Sequence, residues 1–432
     1  MTKVKRLINS LENENNHKVI IVLIFVIFIS SSLILINLSE TKPEYDELAY
    51  INHVETIHSS QNNWYLGDRN RMPLFNYLLY IFYSNNFNEN MQYKVYQFAN
   101  IFYTLILTFI YSLKIRSKFV SKINYYSCLI FTFFIPIISY IHDVVVEPMF
   151  YITYGIFCVY AYELILNPKL TNYLKFGIIS VILYLLKATG LNLFISSIVF
   201  FGFSSHFKHK QKIKEIVKNS LLTFTLFCML CSPYLVENYF KFNGHIFYNV
   251  NTTFYVWYDS WDEVENGTKL YGDRVGWPIM NEEEIPSLKN YLNQHSLSEI
   301  IMRFFMGFKS IFIYYFSITK FTGTITMSIF LLFCWLMYLI KKSKINFINN
   351  IYFFSYIIYN SILLLIGASW YSFIAPIPRF TILIFVPIYF IIFKKFDEMD
   401  DNHILIKPYS LPIFISIFLL TQLLILFFQF ST

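Results

Sequence analysis

Along the 432 residues, long apolar runs alternate with polar connections. Runs near the length that a bilayer core demands fall at 19–38, 93–114, 124–141, 148–166, 172–187, 191–205, 219–236, 323–340, 346–367, 376–393 and 410–429. The pattern predicts an all-α polytopic membrane protein with about eleven transmembrane helices. The first run follows a polar leader and has no small-residue cleavage site before the acidic pair beyond it, so it is expected to remain as an anchor.

The polar connections set the orientation. With the N-terminus cytoplasmic, "TKVKR", "KIRSK", "NPK", "KHKQKIKEIVK", "KKSK" and the lysines at 394 and 395 all fall on the cytoplasmic side, as the positive-inside rule requires. The run 300–319 carries Arg303 and Lys309 and would break the alternation if it spanned, so it is read as a helix lying along the outer interface. Two large segments then face outward, 39–92 and 237–322. The expected site of action is the outer face of the inner (plasma) membrane.

Composition agrees with this class and narrows the function. Hydrophobic residues make up 56% of the chain and charged residues 14%. The net charge of +7 is accounted for by the basic cytoplasmic connections, not by a nucleic-acid partner. All five cysteines lie in apolar runs, so neither a disulfide framework nor a zinc site is indicated, and "CMLC" at 228–231 reads as part of a helix. No phosphate-cradling Gly-rich loop or dinucleotide fingerprint occurs, which argues against an ATP-driven pump or a nucleotide-sugar enzyme.

Ionisable residues recur at the outer ends of several apolar runs. Asp46 and Glu47 follow the first run at a distance suited to acting on a group held at the headgroups, and a carboxylate there can take a proton from an acceptor hydroxyl or amine. Arg69 and Arg71 come next, and a guanidinium suits a pair of phosphate oxygens. "HDVVVEPMF" sets His142, Asp143 and Glu147 at the mouth of the third and fourth helices. "LLKATGL" puts Lys187, and "APIPRF" puts Arg379, close to the hydrocarbon. Charged groups at such depths are retained mainly when they pair or bind something, so the set points to one site for an anionic lipid headgroup.

The ordered series "PEYDELAY", "RMPLFNYLL", "VVVEPMFYITYGIFCVYAYE", "LLKATGLNLF", "SPYLVENYFKFNG" and "PRFTILIFVPIYF" resembles the GT-C membrane glycosyltransferases of the protein O-mannosyltransferase and lipid A aminoarabinose transferase type. The likeness spans about 40–395, and each motif alone is short. It implies a GT-C-like bundle that takes a sugar from a polyprenyl-phosphate carrier on the outer face and passes it to a lipid, glycan or protein acceptor.

By that resemblance Asp46 is the catalytic base with Glu47 beside it, and Glu147 orients the acceptor or tunes the base. Arg71 holds the carrier phosphate, with Arg69, Lys187 and Arg379 as further phosphate partners. The family's "P-W-x-x-R-N" stands here as "SPYLVEN", with Glu237 in place of an arginine, so that turn is assigned no phosphate role. Asp143, His142, Asn238, Trp257 and Trp261 are the acceptor or sugar contacts expected from the outer segments.

The implied reaction is an inverting displacement at the anomeric carbon that needs no dedicated acid. A divalent metal could sit between Asp46, His53 and His142, although both histidines read more simply as structural or exposed. The rival readings are a lipid-linked oligosaccharide polymerase or flippase, of which a flippase would need charges along the helix centres, and a non-enzymatic transporter or scaffold, which would show inverted repeats or broken helices. The helix centres are nearly free of charge, and no internal repeat is found.

Overall fold

The computed structural model describes residues 13–39, 42–43, 45–60, 65–68, 71–242, 244, 246–248, 254–270, 286–316, 351–374 and 379–401. Every regular element among these residues is helical. In chain order they are α1 (Glu14–Leu38), α2 (Tyr45–Ser59), α3 (Pro73–Tyr80), α4 (Glu89–Arg116), α5 (Lys122–Tyr140), α6 (Glu147–Leu166), α7 (Leu170–Leu186) and α8 (Thr189–His209). There follow α9 (Ile213–Lys241), α10 (Trp261–Leu270), α11 (Leu288–Gln294), α12 (Leu297–Phe316), α13 (Ile351–Ser372), α14 (Arg379–Ile382) and α15 (Phe385–Asp401).

Six of the described helices, α1, α4, α6, α8, α9 and α13, are long and apolar enough to cross a membrane. The expected runs 124–141 and 172–187 correspond to α5 and α7, whereas 376–393 is broken between α14 and α15 by a turn at Leu383 and Ile384. The runs 323–340 and 410–429 lie outside the described residues.

α6 forms the axis. It packs on α4, α5, α7, α8, α13 and α15, and 83% of its apolar window is buried, against 28% for α1 and for α9. A helix of 20 residues is about 30 Å long, so its ends, Glu147 and Leu166, lie on opposite sides of the bundle. The Leu166 end is basic. Lys208 Nζ donates to the Ile165 carbonyl at 3.1 Å, His209 Nε2 lies 2.8 Å from the same oxygen, and Lys118 pairs with Glu163 at 2.5 Å. Cations at a helix C-terminus meet its unsatisfied carbonyls and dipole. Nearby, the buried Asp397 of α15 accepts from Val120 N and Ser121 N at 2.7–3.0 Å and so caps α5.

Local chemistry shapes the opposite end. Pro148 in the first turn of α6 lacks only a donor that would be unsatisfied there anyway. α7 stops at Lys187, whose backbone is extended (φ −153°, ψ 133°), and α8 starts two residues later. Gly190 is needed there, because a β-carbon would come within 2.6 Å of Tyr184 N and 2.7 Å of the Leu183 carbonyl. In α9, Pro233 cannot donate to the Met229 carbonyl, and the Ser232 hydroxyl does so instead at 2.8 Å.

Three stretches gain structural detail beyond the sequence expectation. The segment 39–92, among its described residues, contains α2 and α3, with Asp46 and Glu47 in the first turn of α2, where a helix N-terminus favours negative charge. "SPYLVEN" is not a turn but a continuation of α9 to Lys241. The stretch read as an interfacial helix is α12, which packs closely on α13; a β-carbon at Gly307 would overlap the Ser369 carbonyl.

Candidate functional site

At the Glu147 end of α6 a cavity of about 1410 Å³ is bounded by α2, the segment before α3, the α7–α8 junction, α12, α13 and the aromatic stretch before α10. Asp46, Arg71, Glu147, Lys187, Trp257 and Trp261, chosen from the sequence at separations of up to 215 residues, all line it.

The four charged residues form two ion pairs. Arg71 donates through Nη2 to Asp46 Oδ1 at 2.6 Å, and its guanidinium lies 4.7 Å over the Tyr50 ring. Its backbone N–H donates to Asp68 Oδ2 at 2.8 Å, which fixes the turn that delivers it. Lys187 Nζ donates to Glu147 Oε1 at 2.8 Å, with Glu147 almost wholly buried and Lys187 5.8 Å from the Phe150 ring. Each pair therefore joins an acid at a helix start to a cation at a break in the chain.

The remaining walls are of two kinds. Tyr255, Trp257 and Trp261, with Val256 between them, supply a largely aromatic face, while Ile195, Val199, Ile300, Phe304, Leu363 and Ile366 line an apolar flank. A charged end continuous with an apolar track suits an amphiphile with an anionic head.

Glu47 does not line the cavity. It is buried, and its Oε1 accepts from Tyr93 Oη at 2.7 Å and from Val144 N at 2.6 Å. From the other side α4 holds the same turn: Gln97 Nε2 donates to the His142 carbonyl at 2.5 Å, and Asn100 Nδ2 to the Asp143 carbonyl at 2.9 Å. Glu47 thus tethers α2 to the turn that leads into Glu147, and so positions that carboxylate.

His142 and Asp143 sit in the turn itself, with Nε2 3.2 Å from Oδ1. Burial lowers the His142 pKa to about 4. Burial, followed by the charges of Glu47 and Glu147, raises that of Asp143 to about 7. His53 is buried in α2 and its pKa is lowered, chiefly by that burial. Asp46, His53 and His142 do not come together, and among the described residues no group of three His, Cys, Asp or Glu could hold a metal.

Asn238 is buried in α9 behind the cavity wall, where its Oδ1 would lie 2.8 Å from a β-carbon at Gly67 and its Nδ2 donates to the Ile246 carbonyl at 3.3 Å. Its neighbour Glu237 accepts through Oε2 from Leu66 N at 2.9 Å, and Lys241, about one turn on, donates to the Gly67 carbonyl at 2.9 Å. This end of α9 is a clamp on the 65–68 segment. Arg69 and the side chain of Arg379 lie outside the described residues.

A cluster missed in the sequence stands behind the aromatic face. Arg303 of α12 is fully buried, 4.1 Å over the Trp370 ring and 5.0 Å from Tyr291, and it donates to Asp259 Oδ1 at 2.9 Å and the Val256 carbonyl at 3.1 Å. Trp370 Nε1 donates to that carbonyl as well, at 2.6 Å. Its only sequence signal was an arginine inside an apolar, helix-length run, where an ionisable group calls for a buried partner.

No family model, curated protein or solved structure matches the chain.

Proposed function

We propose that this chain is an integral membrane glycosyltransferase that moves a sugar from a polyprenyl-phosphate carrier to an acceptor at the outer face of the inner membrane. The observation that carries this reading is the meeting of Asp46–Arg71 and Glu147–Lys187 at the charged end of one cavity that continues into an apolar flank. In the proposed pose the carrier phosphate lies against the cations, the prenyl chain runs along Ile195, Val199 and Leu363, and the sugar meets the aromatic face.

Transfer then needs few parts. The acceptor oxygen attacks the anomeric carbon from the face opposite the phosphate, and the bond from that carbon to the phosphate oxygen breaks. The acceptor proton passes to the Asp46 carboxylate. The departing phosphate keeps the electron pair, and Arg71 and Lys187 stabilise its charge. A guanidinium presents five donors in a planar fork, so Arg71 can hold Asp46 and a phosphate oxygen together. Glu147 sets the position of the Lys187 ammonium.

Membranes containing the full chain, supplied with polyprenyl-phosphate sugar and an acceptor extract, test the reading. Transfer of labelled sugar, with inversion at the anomeric carbon, is the expected result. Movement of intact carrier across the bilayer without transfer would replace this reading with a flippase.

A further inference from the structure

The aromatic face of the cavity is held in place by charges that take no part in the transfer chemistry. Asp259 lies in the segment that carries Tyr255, Val256, Trp257 and Trp261, and its carboxylate is shared. Oδ1 accepts from Arg303 at 2.9 Å and from Tyr291 Oη at 2.8 Å, while Oδ2 lies 2.7 Å from His295 Nε2. Trp257 in turn contacts Trp370 and Tyr291, with ring centroids 5.7 and 5.9 Å apart.

The His295 ring carries the decisive detail. Its Nδ1 is 2.9 Å from the Tyr291 carbonyl and its Nε2 is 2.7 Å from the Asp259 carboxylate, so both nitrogens face oxygens that can only accept. A neutral imidazole has one donor and one acceptor, whereas an imidazolium has two donors. Only the charged ring satisfies both contacts. The ring also stacks on Tyr291 at 4.0 Å.

We propose that His295, Asp259 and Arg303 are positioning residues of the aromatic wall, and that the proton on His295 sets how firmly that wall covers the cavity. The groups facing His295 are Asp259 of the wall segment, Tyr291 of α11 and Glu299 of α12, with Arg303 reaching Asp259 from the far side and Glu263 accepting from the Asp259 N–H at 2.9 Å. Burial opposes the charge on His295, but the Tyr291 carbonyl, Asp259 and Glu299 outweigh it, so the pKa is raised above its ordinary 6.5. A group whose folded pKa is raised adds stability that is complete below the unfolded value and is lost as pH rises through the folded one. The wall is therefore held most firmly in mild acid and loosens as pH rises through the raised pKa of His295.

Access to the cavity, and not transfer, is what this latch controls, so its test reads no transfer. The full chain carrying Ala188→Cys, whose position is buried and lines the cavity, is exposed to a hydrophilic, membrane-impermeant thiol reagent across a range from about pH 5.5 to about pH 9. The same rates are taken with His295→Gln added, and their ratio cancels the intrinsic pH dependence of the thiol. His295→Gln should label several-fold faster in acid, with the ratio approaching unity at high pH. A ratio that does not change with pH overturns the latch. Independently, the His295 ring carbon resonance, identified by its loss in His295→Gln, should titrate above pH 6.5; a ring neutral in mild acid overturns it equally.

Discussion

The Arg71 guanidinium donates to Asp46 at 2.6 Å and also covers the ring of Tyr50, which stands one helical turn beyond Asp46 on the same face of α2. Two residues 25 positions apart are thereby locked through one helix. The carboxylate is aimed at the cavity by a cation that faces the same space.

If Asp46 is the base, its basicity matters and its shape does not. Asp46→Asn keeps size and an acceptor oxygen for Arg71, so abundance and membrane insertion should be normal while transfer falls by about 100-fold or more, the scale of a lost general base. The comparison is transfer by membranes carrying equal amounts of each protein. Near-normal transfer by Asp46→Asn would remove the base assignment.

Arg71 should discriminate between its own replacements. Arg71→Lys retains a charge but not the planar fork, whereas Arg71→Ala loses both, so the KM for the lipid donor should rise in the order parent, Lys, Ala. Equal donor KM values in all three would reduce Arg71 to a structural partner of Asp46.

The readable and unreadable parts of this architecture divide along a physical line. Apolar runs of bilayer length located α1, α4 to α9 and α13, because burial in lipid or protein demands the same side chains over a whole helix. Asp46, Arg71, Glu147 and Lys187 were legible because each is an ionisable residue close to an apolar stretch, where charge is retained mainly when it pairs or binds something. Glu47, next to Asp46 and expected beside it as a catalytic partner, does not line the cavity but is buried against Tyr93 and the Val144 N–H, because a helix turns by about 100° per residue and so neighbours face different surroundings. Asp259, His295 and Arg303 were invisible as a set: each pairing joins residues 36 or 44 positions apart, and nothing local marks them as partners.

Breaking one partner of the Glu147–Lys187 pair leaves a charge in poorly solvated surroundings. Because Lys187 is partly exposed, Lys187→Met should cost less than the roughly 3–5 kcal/mol typical of a wholly buried pair. Adding Glu147→Gln to it should restore much of the loss in thermal midpoint. No recovery in the double variant would mean that the two side chains are not coupled.

Gly307 tests the packing of α12 on α13. A methyl group there would overlap the Ser369 carbonyl, so Gly307→Ala should separate the helices and lower the thermal midpoint, while the same change at Gly367, where a β-carbon meets open space, should not. Equal midpoints for the two variants would show that α12 does not lie against α13 at this point.

The turn before Glu147 carries its own pH signature. Asp143 has its pKa raised from 3.8 to about 7 by burial and then by Glu47 and Glu147, so the folded protein holds a proton there that the unfolded chain has released. Between these values stability falls as pH rises, and above about 7 the full cost of a buried carboxylate beside two others is present. Asp143→Asn removes that cost and keeps an acceptor oxygen near His142, which burial leaves neutral at pH 7. The variant should therefore exceed the parent in thermal midpoint at pH 8, with the advantage shrinking through pH 6 and vanishing near pH 4, where both side chains are uncharged. Midpoints measured in one detergent at these three pH values decide it, and an advantage that is constant with pH would mean that Asp143 does not titrate in this range.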